Sequence, residues 1–340
     1  MLKAVLVDKD YGSVTPEEQE RVKQAYAQAG IELELLHLNG EDEIIEAGRG
    51  AFAILGTGNP PITEKVLSAL PELRYVQRFG IGVNSIDLDA CARHNVVVLN
   101  LPGFCIQELA DICAGMILAL YRNLGFYDRH VRRGEWPKCQ YLLPPNVREK
   151  TLGLYGFGGT SKYLYQILHD GFGSKVIAHD PYVPESVKQQ YSEVEFVSFE
   201  ELLTRSDIIS MHVPLNKETY HVFNKEAFRK MKNTAMILNV SRGPLIDEEA
   251  LVWALQNGEI LYAGLDCTET EPLQADSPLL QMENVIITPH SGSYGERAKR
   301  LQIDWVCELL PNAVLRGEIP AKHVANRAVM QNVQDIRFVQ

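Results

Sequence analysis

Apolar positions along this chain fall into short, nearly unbroken runs separated by segments of helical spacing. Lys3–Asp8, Glu32–Leu38, Ala51–Leu55, Tyr75–Phe79 and Val96–Leu99 read as strands. Between them, Pro16–Gly30 has helical signals: Thr15 at the N-cap, Pro16 in the first turn and Gly30 past the end. Pro61–Leu70 is a second helix, with Thr63 near its start. A boundary falls near Asn100–Gly103, and a long helix, Gln107–Asn123, follows it. That helix is apolar around much of its circumference, so it belongs at the centre of a core or in a subunit interface, the interface being preferred. Gly134–Pro145, with Trp136, Pro137, Pro144 and Pro145, reads as an extended arm. The alternation restarts at Thr151. Strands are predicted at Thr151–Tyr155, Lys175–His179, Ile208–His212, Ala235–Asn239, Tyr262–Asp266 and Val285–Thr288, and a helix at Thr160–His169. A helix from Glu296 to about Leu309 and a tail ending near Asn326 complete the reading. Two rounds of strand–helix alternation mean an α/β protein with two doubly wound parallel sheets.

Length agrees, since 340 residues suit two domains. The net charge of −11 argues against nucleic acid or an anionic membrane as partner, because both need a basic surface. It leaves room for an anionic small molecule held by local arginines. The longest apolar run, Ile112–Leu120, has nine residues, against roughly 20 for a membrane span. The opening MLKAVLVDKD is too short in apolar residues for a secretory core and reads as the first strand. None of the six cysteines sits in a C-x-x-C pair, so no metal is expected, and a reduced, cytoplasmic setting is.

The chemistry concentrates just past predicted strands. Gly156-Phe157-Gly158-Gly159-Thr160-Ser161 joins a strand to a helix, the context in which G-x-G-x-x-G cradles a pyrophosphate. Gly156 permits the turn, Gly158 lets phosphates approach, and Ser161 stands at the third glycine. Asp180 ends the next strand, 24 residues after Gly156, where a carboxylate accepts from ribose hydroxyls and repels a 2′-phosphate. Pro181 and Tyr182 offer no cation for such a phosphate, so NAD is preferred over NADP. Arg242, Glu271 and His290 follow three further strands. Arginine grips a carboxylate with a planar fork, and a Glu–His pair is a tuned proton donor.

These segments resemble the D-isomer-specific 2-hydroxyacid dehydrogenases, near the C-terminal-binding-protein-like branch. The likeness runs from about Ala51 to Asn326 through RFGIGVNSIDLDAC, NLPGFCIQELADICAGMILALYRN, TLGLYGFGG, HDPY, LNVSRGPLIDEEALVWAL, AGLDCTETEPL and NVIITPHSG. It implies that Arg242 binds the substrate carboxylate, that Glu271 pairs with the catalytic His290, and that Asp266 contacts the nicotinamide side. It implies backbone donors to the carboxylate from Gly80-Ile81-Gly82. Further cofactor contacts are implied at Phe157, Gly159, Thr160, His212, Val213, Pro214, Thr219, Val240, Ser241 and His290. It implies two Rossmann-like domains with an interdomain cleft: residues 1–100 with 294–340 as the substrate domain, and 101–293 as the NAD-binding domain. A homodimer through the 107–123 helix is implied as well.

The expected reaction is reduction of a 2-keto acid to the (R)-2-hydroxy acid, and its reverse, with NAD. Phosphoglycerate is disfavoured because Ile54–Ile62 holds no lysine or arginine. Formate is disfavoured because those relatives pair the histidine with glutamine. Phosphite-type oxidation stays open. Asn84-Ser85 stands where Asp-Asn is common, and Ser293 where the corepressors place tryptophan. The competing reading is an NADH-sensing scaffold of the corepressor type, whose output is a protein contact.

Overall fold

The computed structural model describes residues 1–8, 15–38, 40–57, 60–137 and 144–340. Its chain forms two units: residues 1–104 with 296–340, and residues 105–295. The first therefore reaches four residues beyond the expected boundary at 100 and resumes at 296 rather than 294; the Leu101 amide donates to the Gly80 carbonyl and the Arg297 guanidinium to the Phe104 carbonyl within it.

In the first unit, five strands form a parallel sheet; β3 to β5 are nearly continuous buried runs, as a parallel sheet covered on both faces requires, while the edge strand β2 alternates Ile and Leu with Glu. They are β1 (Leu2–Leu6), β2 (Ile31–Leu35), β3 (Ala51–Gly56), β4 (Tyr75–Arg78) and β5 (Val97–Leu99), in the order β2-β1-β3-β4-β5. This is one of the two common doubly wound orders. Helix α1 (Pro16–Gln28) begins where predicted: the Thr15 hydroxyl accepts from the Glu18 amide, and the Glu18 carboxylate accepts in return from the Thr15 amide. Two short helices were not predicted, α2 (Glu41–Ala47) and α4 (Leu88–Arg93); α3 covers Glu64–Ala69.

The second unit opens on α5 (Ile106–Tyr121). This helix buries Ala110, Cys113, Ala114, Met116, Ile117, Leu120 and Tyr121 in its own unit's core. Its apolar circumference is thus largely explained by packing within one chain. Asn123, in the left-handed region at φ +52°, turns the chain into α6 (Leu124–Arg132), which was not predicted. The arm expected at Gly134–Pro145 lies partly outside the described residues.

Seven parallel strands follow: β6 (Thr151–Tyr155), β7 (Lys175–His179), β8 (Glu195–Phe196), β9 (Ile208–Met211), β10 (Met236–Asn239), β11 (Tyr262–Leu265) and β12 (Val285–Ile287). Their order, β12-β11-β10-β9-β6-β7-β8, is the dinucleotide-fold order with one strand added, and it reverses between β6 and β9. Helices α7 (Gly159–Tyr165), α8 (Glu185–Gln190), α9 (Phe199–Arg205), α10 (Lys225–Lys230) and α11 (Glu248–Asn257) cover the faces. One core lies under α5 and α7, the other under α9, α10 and α11.

The chain then returns to the first unit through α12 (Glu296–Arg316). The helix expected to end near Leu309 runs seven residues further, through Pro311, which cannot donate to the helical ladder. It does so because Val306, Leu309, Leu310 and Ala313 continue one buried stripe. The tail pairs β13 (Glu318–Pro320) with β14 (Arg337–Val339). Among the described residues, no single helix is long and apolar enough to cross a membrane.

Candidate active site

In parallel sheets the carboxyl ends of the strands collect functional side chains, and the crevice opens where the strand order reverses. In the second unit that reversal lies between β6 and β9. Gly156 follows β6 at φ +91°, where an L side chain is strained. A Cβ there would also come within 2.8 Å of Val213 Cγ1 and 3.0 Å of the His212 carbonyl. The turn therefore packs directly against the chain leaving β9. Gly158 caps α7, and no heavy atom lies within 4 Å of where its Cβ would be, so the front of the turn is open. Ser161 is buried, and its hydroxyl donates to the Gly156 carbonyl at 2.7 Å. The serine at the third position is thus a small packing residue that also ties down the turn. Phe157 is buried among Tyr191 and Phe196, while its amide donates to Asp180 Oδ2 at 2.8 Å. The Tyr182 amide donates to Asp180 Oδ1 at 2.9 Å. Two backbone donors therefore fix the Asp180 carboxylate beside the turn, with lone pairs left over for hydroxyls.

The residues after β9 and β10 are laced together. Ser241 Oγ donates to the Val213 carbonyl at 2.5 Å, and Thr219 Oγ1 donates to the Pro214 carbonyl at 2.8 Å. Val240 is core. His212 Nε2 is buried without a hydrogen-bond partner, and burial pushes this imidazole down to about 3, so it is neutral. An open glycine turn, a fixed carboxylate and a buried unpartnered ring nitrogen at one strand-order reversal suit a dinucleotide.

Arg242 follows Asn239, whose buried amide donates to the Arg242 carbonyl at 2.8 Å and accepts from the Ser241 amide at 3.1 Å. The next residue must be glycine: a Cβ on Gly243 would lie 1.8 Å from the Thr268 carbonyl. This close approach brings the β10 and β11 ends together. Glu271 lies in the β11 loop, its Oε1 accepting from the Thr268 amide at 3.3 Å and its Oε2 lying 2.8 Å from His290 Nδ1. Burial disfavours the Glu271 charge, but His290, the Thr268 amide and the Arg242 charge carry this carboxyl below its ordinary value. The Cys267 sulfur and Glu271 carboxylate against His290 raise its imidazole to about 10, against the burial that would lower it.

His290 itself occupies the left-handed region at φ +51°. Its amide donates to the Asp266 and Thr288 carbonyls, both at 2.9 Å. The buried Asp266 carboxylate accepts from Thr288 Oγ1 at 2.6 Å and from the Ser291 and Gly292 amides at 2.9 Å each. Asp266, expected beside the nicotinamide, here grips the loop that presents His290.

Gly80, Ile81 and Gly82 belong to the first unit, after β4. Their carbonyls accept from the Leu101 amide, Asn100 Nδ2 and Arg78 Nε. Arg78 is buried and also donates to the Gly56 carbonyl at 3.1 Å, pinning this loop to the end of β3. Two residues had been passed over in the sequence: Arg78, two residues before the loop, and Cys267, directly after Asp266. The first is flagged by a charge inside an apolar strand. The contact of Cys267 with His290 depends on the adjacency of β11 and β12, which no spacing reveals.

The sequence model for the D-isomer specific 2-hydroxyacid dehydrogenase NAD-binding domain matches residues 114–292. A glyoxylate reductase of Korarchaeum cryptofilum is 36% identical over 289 residues, covering 84% of this chain and 86% of that protein. A glyoxylate/hydroxypyruvate reductase B of Serratia proteamaculans is 33% identical over 285 residues, covering 83% and 86%. Among solved structures, D-lactate dehydrogenase from Aquifex aeolicus, complexed with NAD and lactic acid, superposes with a TM-score of 0.82 at 26% identity, covering 92% of this chain and 96% of that one.

Proposed function

The chain belongs to the D-isomer-specific 2-hydroxyacid dehydrogenase family, an NAD-dependent oxidoreductase, and from that premise we propose that it reduces a small 2-keto acid of the glyoxylate–hydroxypyruvate class using Arg242, Glu271 and His290. The observation that carries this reading is the 2.8 Å His290–Glu271 pair, with an imidazole that stays protonated through neutral pH. The two curated relatives named above support the substrate class.

Gly156, Phe157, Gly158, Gly159, Thr160, Asp180, His212, Val213, Pro214, Thr219, Val240 and Ser241 are assigned to the dinucleotide. Bound NADH supplies the hydride. Arg242 holds the substrate carboxylate and draws electron density from the adjacent carbonyl. His290, oriented through Nδ1 by Glu271, gives the proton on its other ring nitrogen to the carbonyl oxygen. Glu271 stabilises the imidazolium before transfer, and Asp266 keeps the loop in place. In oxidation the neutral imidazole takes the proton back. In the first unit, the Gly80–Gly82 loop has its carbonyls committed, and its N–H groups suit a carboxylate. Assembly as a homodimer belongs to the proposal, with the exposed Leu124 and Val131 of α6 as apolar surface beside α5.

A panel of 2-keto acids with NADH tests this reading. Rapid reduction of glyoxylate or hydroxypyruvate is expected. Tight NADH binding with negligible turnover on every member would overturn it in favour of a cofactor-sensing scaffold.

A further inference from the structure

One side chain against the His290–Glu271 pair has no step of its own in the proposed reaction. Cys267 follows Asp266 at the end of β11 and is 2% exposed. Its thiol donates to the Ser241 carbonyl at 3.4 Å. The sulfur, a Glu271 oxygen and a His290 ring nitrogen all lie within 4.8 Å of one another. Thiolate, imidazole and carboxylate are the donors that tetrahedral zinc takes, at about 2.0–2.3 Å each, which places ligand atoms roughly 3.3–3.8 Å apart. Meeting that geometry needs the His290–Glu271 contact to open from 2.8 Å, and any ligand pair near the 4.8 Å limit to draw in. The His290 and Glu271 side chains are 41% and 39% exposed, so an ion can reach the sulfur past them. Soft and borderline donors disfavour Mg²⁺ and Ca²⁺, which take oxygen ligands. Two charges act on the cluster from outside: the Arg242 cation on Glu271, opposing a second cation, and the Asp266 carboxylate on Cys267, favouring one.

We propose that Cys267, Glu271 and His290 form an inhibitory binding site for a borderline-soft divalent cation of the Zn²⁺ class. The ion replaces the protons on the thiol and the imidazole, which leave to water, and three protein ligands leave one coordination position open. With the ion on Nδ1, the nitrogen that faces Glu271, the ring keeps its Nε2 proton but giving it up would leave an imidazolate, so His290 loses the readily given proton of an imidazolium. The inhibitory consequence rests on the proposed role of His290; the binding site itself does not. Ligands at 267, 271 and 290 carry no C-x-x-C signature, which is why the sequence pointed to no metal.

The test uses the full chain, stripped with chelator. Cd²⁺ is titrated while the ultraviolet thiolate–cadmium absorption is followed, and Zn²⁺ is titrated by calorimetry. One equivalent of each should bind. Cys267→Ser should abolish the band at one equivalent and weaken Zn²⁺ at least about tenfold, because even an outer-sphere partner is worth about 10–100-fold. Cys267→Ala, checked by thermal melting, provides the same readout should the serine variant not fold. Glyoxylate reduction is then measured with Zn²⁺, each protein normalised to its own rate in chelator. Half-inhibition of the Cys267 variants should need at least about tenfold more Zn²⁺ than the parent, and Mg²⁺ should do nothing. No stoichiometric binding, or an undiminished band in the Cys267 variants, overturns the site. Intact binding without loss of turnover overturns its inhibitory role. A parent protein that reduces no keto acid refutes the functional reading instead, while the calorimetry still decides the site.

Discussion

Histidine at positive φ is uncommon and costs on the order of 1–3 kcal/mol of local strain, so surrounding bonds must hold it. For His290 at φ +51° those bonds come from Asp266, through its carbonyl and both carboxylate oxygens. The ring so presented has a protonation constant raised to about 10, which sets the sign of its pH dependence. Imidazolium persists through neutral pH and is lost as pH rises through the raised value. Keto-acid reduction should therefore hold across neutrality and fall on the alkaline side. Glu271→Gln keeps a hydrogen-bonding group but removes the charge, and should bring that fall down by roughly one pH unit or more. A kcat/KM profile that falls at the same pH in both proteins would strip Glu271 of its tuning role. Arg242→Lys keeps charge but loses the planar fork, and should cost about 1.5–3 kcal/mol in kcat/KM. A lysine variant with parental kinetics would reduce Arg242 to a diffuse positive charge. Arg242, Glu271 and His290 were legible individually, because each follows a predicted strand. Cys267 was not, because its contact with His290 is set by the adjacency of β11 and β12; Arg78 carried only the weaker signal of a charge inside an apolar strand.

Elements were legible where one period dominated. The predicted strands Thr151–Tyr155 and Lys175–His179 match β6 and β7 residue for residue, since parallel strands buried on both faces leave unbroken apolar runs. Helices α2, α4, α6, α8, α9, α10 and α11 have no counterpart in the sequence reading; most are short or buried on too few positions to show a stripe, and α6 and α8 bury no residue fully, whereas α11 buries Ala250, Leu251, Ala254 and Leu255 at helical spacing and was legible in principle. The expectation of an interface helix at 107–123 arose from composition, which cannot distinguish a partner chain from the helix's own core. The β6–α7 turn illustrates a departure that only the structure explains. Ser161 stands where the fingerprint has glycine, yet its hydroxyl closes on the Gly156 carbonyl at 2.7 Å inside a fully buried site. Ser161→Gly restores the fingerprint and should nonetheless weaken the protein. It removes a buried hydrogen bond worth about 0.5–1.5 kcal/mol and adds backbone freedom to α7. A lower urea midpoint and weaker NADH binding by fluorescence titration are expected. Tighter NADH binding in the glycine variant would show that the serine compromises the turn.

At the scale of the whole chain, each of the two strand orders reverses at a point the sequence cannot display. A reader of the sequence sees alternating strands; that β9 rather than β8 lies beside β6 follows from the crossovers. The discontinuity of the first unit is likewise invisible to periodicity, because α12 resembles any amphipathic helix until it is seen packed with α1. Cofactor binding couples the reversal point to the stability of the molecule. A ligand that binds only the folded chain stabilises it by about 2.7 kcal/mol at a hundred times its dissociation constant. NADH should therefore raise the melting temperature in a concentration-dependent way. NADPH at equal concentration should raise it much less, because its 2′-phosphate would meet the carboxylate that Phe157 and Tyr182 hold in place. Asp180→Ala removes both the acceptor for the ribose hydroxyls and the repulsion. Its NADH shift should shrink and its NADPH shift should not grow to the parental NADH value, since Pro181 and Tyr182 provide no cation to receive the phosphate. The measurement needs no substrate, so it stands apart from the identity of the keto acid. Equal melting shifts with NADH and NADPH in the parent chain would show that the ribose lies elsewhere than at Asp180, and the register of the dinucleotide along β6 and β7 would have to be redrawn.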